Sequence, residues 1–364
     1  MNPVPRPAAL LLLLASVALP ASAIIAQQPA PQPTTAADAP NRDTSYIDAQ
    51  GTAHVTRVVP LPATISPEAQ HSLGRQAPDA GPPQSLADRR TSTDAYAARS
   101  RVAWTALCPN TSVETEIAGV PVHVVTPANL DPATRDKVLL NLHGGGFNSD
   151  SGSYTESIPI ASFTRIKVVS ALYRLAPEHP FPAAVDDAIA VYRELLKTYK
   201  PQHIVIYGTS AGAILTGEVA VRIKQLGLPM PAALGVFSGF GDFARPGDSA
   251  AIFSLGGLSG HLDPPGTTPH NAEYVAATDP KDPVLSPVYA DLHGLPPTLF
   301  VTSERDALLS GTANLHRAFL EAGVDAHLIV FDALTHAFWY NPVLPEAQEA
   351  NHFMANFFVK HLGK

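Results

Sequence analysis

Gly208-Thr209-Ser210-Ala211-Gly212 constrains this chain more than any other stretch of it. The five residues read G-x-S-x-G, and the sequence on either side is of two different kinds. His203-Ile204-Val205-Ile206-Tyr207 is a short β-branched run of strand type. Ala211 to Gln225 has helical spacing, with Leu215, Val219, Ile223 and Leu226 on one face. A strand, a Gly-flanked turn and a helix compose a nucleophile elbow. The serine is held exposed on a strained bend, and small neighbours let the backbone turn tightly. The helix would also direct its positive dipole end at a negative intermediate. The five residues alone occur by chance in many chains; the strand and helix around them give the pattern its weight.

A second motif lies 67 positions upstream (210 − 143). Val138-Leu139-Leu140-Asn141-Leu142 reads as an apolar strand and ends in His143-Gly144-Gly145-Gly146-Phe147. Three consecutive glycines cannot pack a core, and ordering them costs entropy. What they offer is bare backbone N–H groups that approach a ligand closely, as acyl transfer needs around a developing oxyanion. A flexible loop or a phosphate cradle is the alternative, but no Lys-Ser/Thr pair follows, so the Walker pattern fails. His143 reads as a hydrogen-bonded loop histidine and not as a general base.

Between these motifs stands Tyr173-Arg174-Leu175-Ala176-Pro177-Glu178-His179-Pro180-Phe181-Pro182-Ala183-Ala184. H-G-G-G-F, this long stretch and G-T-S-A-G together resemble the hormone-sensitive-lipase-like branch of the α/β-hydrolases, from roughly Thr64 to the C-terminus. Many relatives carry Asp before the nucleophile; Thr209 stands there in this chain, as in one subgroup. The resemblance implies an α/β-hydrolase fold with a helical cap, a serine carboxylesterase activity on small short- to medium-chain acyl esters, and an acyl-enzyme intermediate. A lactonase, amidase or deacetylase with the same triad is the alternative. A non-catalytic receptor on this fold, which loses the catalytic histidine, is more remote because His336 is present.

The rest of the triad follows from chain order, which in this fold is Ser, then acid, then His. Thr298-Leu299-Phe300-Val301-Thr302 is a buried-strand run, and Ser303-Glu304-Arg305-Asp306-Ala307-Leu308 follows it. Asp306 matches the family's Asp-x-Leu position, and Glu304 is its competitor. Ala326 to Phe331 forms another strand, after which His336 matches the family's His-Gly-Phe, with Ala337 in place of glycine. His336 is expected to act as general base on Ser210, with Asp306 orienting its ring. The N–H groups of Gly144, Gly145 and Ala211 are expected to receive the oxyanion. Arg174 and Glu178 are expected to brace the glycine loop, with a surface salt bridge as the alternative.

Composition suits an enzyme of this size. About 300 of the 364 residues read as globular, enough for one large α/β domain. With 45% hydrophobic and 15% charged residues, a covered parallel sheet is well supplied. The formal charge of −8 comes with no basic cluster, which argues against nucleic acid and anionic membrane surfaces as partners. No H-E-x-x-H or clustered His/Cys spacing suggests a metal, and the chemistry calls for no cofactor. The partner expected is a small-molecule ester; a homo-oligomer is left open.

At the N-terminus, Arg6 precedes the apolar run Ala8 to Leu19, and Ala21-Ser22-Ala23 offers an A-x-A cleavage site. The run is too short to span a bilayer comfortably, so export with no stable membrane insertion after cleavage is expected, to the periplasm or the medium. Removing residues 1–23 takes away Arg6 alone, leaving 23 basic against 32 acidic residues, or −9. Cys108 is the only cysteine, so the exported fold would have no internal disulfide. Asn110-Thr111-Ser112 is a glycosylation sequon of little weight without a known source.

Residues 24–60 are rich in Ala, Gln, Pro and Thr and read as a linker without a core of its own. Residues 61–111 show short helical patterns broken by Pro78, Pro82 and Pro83, and the resemblance makes them part of a cap. Val113 to Ile117 and Val120 to Val125 flank Ala118-Gly119 as a hairpin. Ile166 to Tyr173 reads as a strand and Ala183 to Lys197 as an amphipathic helix, with Val185, Ile189, Tyr192 and Leu196 inward. Such alternation means a mostly parallel sheet with helices on both faces. The Pro/Gly-rich 243–293 interrupts it as a second cap element. Gly256-Gly257-Leu258-Ser259-Gly260 within it reads as a loop, and Asp186-Asp187 diverge by about 100° on their helix, which argues against paired-carboxylate chemistry.

Overall fold

The computed structural model describes residues 45–56, 59–74, 85–245, 247–252 and 272–363. The expected leader, most of the expected linker and Gly256 to Gly260 lie outside these residues. The chain divides into two compact units, Met1–Val59 and Pro60–Lys364. In the first, β1 (Tyr46–Ile47) and β2 (Ala53–His54) pair antiparallel, and none of its described residues is buried.

The second unit opens with α1 (Pro67–Gly74) and α2 (Leu86–Leu107). α2 is one helix of 22 residues, longer than the broken patterns expected there. Neither glycine nor proline occurs between Ser85 and Leu107, and Ser85 caps the start by accepting from Asp88 N–H. β3 (Asn110–Ile117) and β4 (Val120–Pro127) then form the expected hairpin. Ala118 and Gly119 at its tip both take positive φ, 53° and 82°, as a two-residue turn matched to strand twist requires.

The main alternation follows: β5 (Val138–Leu142), α3 (Ser157–Thr164), β6 (Val168–Ala171), α4 (Ala183–Leu195), β7 (Ile204–Thr209), α5 (Ala211–Gln225) and β8 (Ala233–Phe237). The short helices α6 (Ser249–Ile252) and α7 (Ala272–Val275) interrupt it. β9 (Thr298–Ser303), α8 (Leu309–Glu321), β10 (Ala326–Phe331) and α9 (Pro345–His361) complete it. Eight strands form one sheet in the order β10-β9-β8-β7-β5-β6-β4-β3. Only β4 runs antiparallel to its neighbours β3 and β6; the remaining pairs are parallel.

The two-residue period of each strand divides the core between the faces. Leu140, Ile206, Val236 and Phe300 join α4, α5 and α8, while Leu139, Tyr207, Phe237 and Val301 join α3 and α9. Strands sandwiched in this way must be apolar on both sides, which is why β5, β7 and β8 are buried throughout. The same geometry corrects the one-sided pattern expected of α5: Ala211 to Ala220 are all buried, whereas Leu226 is 37% exposed. β6, at Val168–Ala171, is shorter than expected: Leu172 N–H still donates to Pro121 O of β4, but Pro121 has no N–H to return the bond. Among the described residues no helix is long and apolar enough to cross a membrane.

Candidate active site

The site is built at the ends of parallel strands, where the chain leaves the sheet. At the end of β7, Ser210 takes φ 59° and ψ −121°, a conformation that L-residues rarely adopt. Its N–H donates to Phe237 O at 2.8 Å, which fixes the bend to β8. The glycines on either side are dictated by contact. A Cβ on Gly208 would lie 2.2 Å from Leu142 O, and one on Gly212 only 1.8 Å from the same atom. The elbow is thus wedged against the strand that feeds the glycine loop.

Asp306 follows β9 and is fully buried, and His336 follows β10. The two lie together, His336 Nδ1 to Asp306 Oδ1 at 3.0 Å. Asp306 Oδ1 also accepts from Leu308 N–H at 2.9 Å. Its Oδ2 accepts from Thr302 Oγ1 at 3.1 Å and from Ser238 Oγ. Burial raises the carboxyl's pKa, but the His336 charge, these hydrogen bonds and Leu308 N–H outweigh it and hold it below the usual carboxylate value. For His336 burial disfavours the imidazolium, and the adjoining Asp306 carboxylate more than compensates, leaving the ring more basic than an ordinary histidine. With Nδ1 engaged, Nε2 is the nitrogen left to exchange a proton. Among the described residues Ser210 Oγ makes no hydrogen bond to this ring, a contact that is often loose before substrate binds. Glu304, the competitor, is exposed, and the neighbouring Asp332 carboxyl raises its pKa; among the described residues it makes no bond to His336.

The glycine loop corrects one expectation. Gly144 N–H donates to the buried Glu156 carboxylate at 2.9 Å and is therefore not free for a ligand. Gly145 takes φ 126°, and a Cβ there would lie 2.1 Å from Ser149 O, so only glycine fits. The N–H groups of Gly145, Gly146 and Ala211 donate to no described group, and Ala211 opens α5, where helix geometry supplies no partner. Of the donors expected at the site, Gly145 and Ala211 therefore remain open among the described residues, and Gly146 joins them.

His143 is 1% exposed, stacks on Tyr173 with ring centroids 4.3 Å apart, and bonds Gly144 O through Nδ1 at 2.9 Å. It is a buried brace of the loop, as its sequence context suggested. Arg174 does not brace that loop. Its guanidinium grips Asp187 at 2.8–3.0 Å, fixing the start of α4, because Asp187 is the carboxylate that α4 turns toward it. Glu178 also stops short of the loop: it holds Arg90 of α2 through two 2.7 Å bonds. Arg90 Nε in turn donates to Asn148 O at 2.7 Å, so Glu178 acts on the loop at one remove.

Several contributors carried no sequence signal. Ser238 and Thr302 are lone hydroxyls at strand ends. Trp339 Nε1 donates to Thr209 Oγ1 at 3.1 Å, tying the histidine turn to the elbow. Trp104 of α2 donates to Tyr340 O at 3.0 Å, and α6 meets the loop beyond Asp306 through Ser249 Oγ and Ala307 O at 2.8 Å. Among the described residues no group of three or more His, Cys, Asp or Glu is placed to hold a metal ion.

The chain is similar to known proteins over most of its length. A family model described as alpha/beta hydrolase fold matches residues 139–340, more than half the chain. An acetyl-hydrolase of Streptomyces hygroscopicus is 35% identical over 224 residues, covering 60% of this chain and 74% of its own length. The carboxylesterase NlhH of Mycobacterium tuberculosis is 30% identical over 270 residues, covering 67% of this chain and 81% of its own. The crystal structure of the esterase E25 superposes with a TM-score of 0.74 at 30% identity, over 85% of this chain and 98% of that one. An esterase from the bacterial hormone-sensitive lipase family gives 0.72 at 31%, over 82% and 99%. The chain belongs to the α/β-hydrolase family, in its hormone-sensitive-lipase-like esterase branch.

Proposed function

We propose that the protein is a serine carboxylesterase that hydrolyses small acyl esters through an acyl-enzyme on Ser210. The observation that carries this reading is the buried Asp306–His336 pair at 3.0 Å, on loops tied through Trp339 to a strained serine at a helix N-terminus. In the first half-reaction Ser210 Oγ attacks the ester carbonyl carbon, and its proton passes to His336 Nε2. The carbonyl oxygen becomes an oxyanion, received by the N–H groups of Gly145, Gly146 and Ala211 and by the positive end of α5. Collapse breaks the bond to the alcohol oxygen, which leaves with the proton from His336. Water then attacks the acyl-enzyme by the same steps in reverse roles, releasing the carboxylic acid and free Ser210. Asp306 holds the imidazole tautomer and stabilises its charged form throughout.

Two stretches, about 61–111 and 243–293, are proposed as the cap. In support, α2 is pinned to the histidine turn by Trp104, and Tyr274 of α7 stacks on Phe147 of the glycine loop at 3.6 Å between centroids. A covered pocket has limited depth. Each methylene that fits gains roughly 0.8 kcal/mol of burial, and one that does not fit moves the carbonyl out of line. Hydrolysis of p-nitrophenyl esters from acetate to palmitate tests this: kcat/KM is expected to peak within about two to eight acyl carbons. A rate still rising at palmitate, with activation at an oil–water interface, would indicate a lipase instead.

We infer too that residues 1–23 direct export and are removed. Arg6, the run Ala8 to Leu19 and Ala21-Ser22-Ala23 support this. N-terminal sequencing of the exported protein should begin at Ile24; an intact Met1 on it would refute the inference.

A further inference from the structure

Glu156 stands at the start of α3 and is almost wholly buried. Its carboxylate collects three donors from three separate parts of the site. Oε1 accepts Gly144 N–H at 2.9 Å and the Tyr340 hydroxyl, and Oε2 accepts the Asn141 side-chain amide at 2.8 Å. Gly144 opens the glycine loop, Tyr340 lies four residues beyond His336, and Asn141 sits on β5 two residues before His143. Asn141 Oδ1 is itself fixed by Ser170 Oγ of β6 at 2.6 Å, so its amide has to face the carboxylate.

The packing around this anion leaves no slack. A Cβ on Gly152 would lie 1.9 Å from Glu156 Oε1. One on Gly144 would lie 2.8 Å from the Tyr340 hydroxyl and 2.9 Å from Thr209 O, the carbonyl just before Ser210. Elbow, glycine loop and histidine turn thus meet around a single carboxylate. Burial pushes this group up to about 7, against the pull of the Tyr340, Gly144 and Asn141 donors. A residue needed only to fill space would be cheaper as an apolar one, since burying a carboxylate is costly even when it is paired.

We propose that Glu156 is a positioning residue for the ester hydrolysis: its carboxylate holds the glycine loop and the histidine turn in one register, so that the oxyanion donors and His336 converge on the same carbonyl. This rests on the hydrolase reading above. By taking the Gly144 N–H, the carboxylate orients the peptides that follow, which leaves those of Gly145 and Gly146 free for the substrate oxygen. By taking the Tyr340 hydroxyl, it anchors the turn that carries His336. Glu156 touches neither substrate nor the reacting atoms, and its effect should appear in turnover more than in substrate binding.

The test compares Glu156→Gln and Tyr340→Phe with wild type on p-nitrophenyl acetate, with active sites counted by a fluorophosphonate. Glutamine keeps the shape but sets its own amide against the Asn141 amide, and phenylalanine removes one donor while keeping the ring. Per active site, Glu156→Gln should lose roughly 10²-fold in kcat with KM changed less than about threefold, as misplacement of aligned groups predicts. Tyr340→Phe should lose about tenfold in the same direction, and the double variant should be little worse than Glu156→Gln, because both act through one carboxylate. Fluorophosphonate labelling, which also builds negative charge on an oxygen in the hole, should slow in parallel. A kcat per labelled site within about threefold of wild type in Glu156→Gln, even with a lowered Tm, would overturn the proposal. If that variant does not fold, an unchanged kcat in Tyr340→Phe overturns it. A wild type inert to both ester and fluorophosphonate would instead sink the hydrolase reading, and this inference with it.

Discussion

Replacing Asp306 with asparagine removes one charge from the site while leaving its shape nearly intact. The four groups bonded to the carboxylate are all donors: His336 Nδ1, Leu308 N–H, and the hydroxyls of Ser238 and Thr302. Hydroxyls can rotate to accept, whereas an N–H cannot. The new amide NH₂ therefore settles toward Ser238 and Thr302, and the remaining oxygen keeps Leu308 and His336. The protein should fold, and the His336 tautomer should survive. What disappears is the attraction between the carboxylate and the imidazolium that forms as Ser210 attacks. The nitrogen and oxygen are 3.0 Å apart, and the His336 side chain is 18% exposed, so the interior value of the dielectric overstates the effect. With charge centres about 4 Å apart and an effective dielectric of about 20, the attraction is about 4 kcal/mol. Lost from the transition state, that is about 10³-fold in kcat. Steady-state hydrolysis of p-nitrophenyl acetate, with near-ultraviolet circular dichroism to show folding, measures it. Glu304→Gln, two residues away on an exposed side chain, should change kcat by less than about threefold. A loss under tenfold in a folded Asp306→Asn, or a larger loss in Glu304→Gln, would refute this assignment of the acid.

The pH dependence has a definite sign. His336 must be neutral to accept the Ser210 proton, and Asp306 holds its pKa above the ordinary histidine value of 6.5, so kcat/KM should fall as pH drops through a midpoint above 6.5. In Asp306→Asn that midpoint should move to lower pH; a pH–rate profile in which it stays put would contradict the coupling. At the elbow, Gly212→Ala would set a Cβ 1.8 Å from a backbone oxygen of β5, with no flexible side chain to yield. Overpacking of this kind costs roughly 1–3 kcal/mol or more, so the variant should be recovered with lowered Tm and little hydrolysis; wild-type Tm and kcat together would show that the elbow is not wedged as described.

Much of this was legible in the sequence because the relevant constraints are local. The strained serine needs glycines two residues before and after it, and those glycines are visible. The buried strands are continuous apolar runs, and the positions of Asp306 and His336 follow from which strands they leave. What was not legible depends on residues distant in sequence meeting in space. Glu156 lies in a polar Ser-rich stretch with no periodicity, and its importance comes from Tyr340, 184 positions away. That same carboxylate is why the oxyanion donors shift from Gly144 to its neighbours. The place of Arg174 in its motif points to the glycine loop, but a guanidinium goes to a nearby buried carboxylate, and Asp187 is that group. The faces of α5 could not be resolved from spacing either, because a central helix is covered on nearly every side and only its last turn meets solvent.

The central claim is that Ser210 becomes acylated by an ester substrate. Brief mixing with p-nitrophenyl acetate, acid quenching and peptide mass mapping tests it most directly, with a fluorophosphonate as the stable counterpart. One adduct is expected, on the peptide carrying Ser210, absent in Ser210→Ala and formed at least about 10³-fold more slowly in His336→Ala. An adduct on another residue, or hydrolysis that persists in Ser210→Ala, would contradict it.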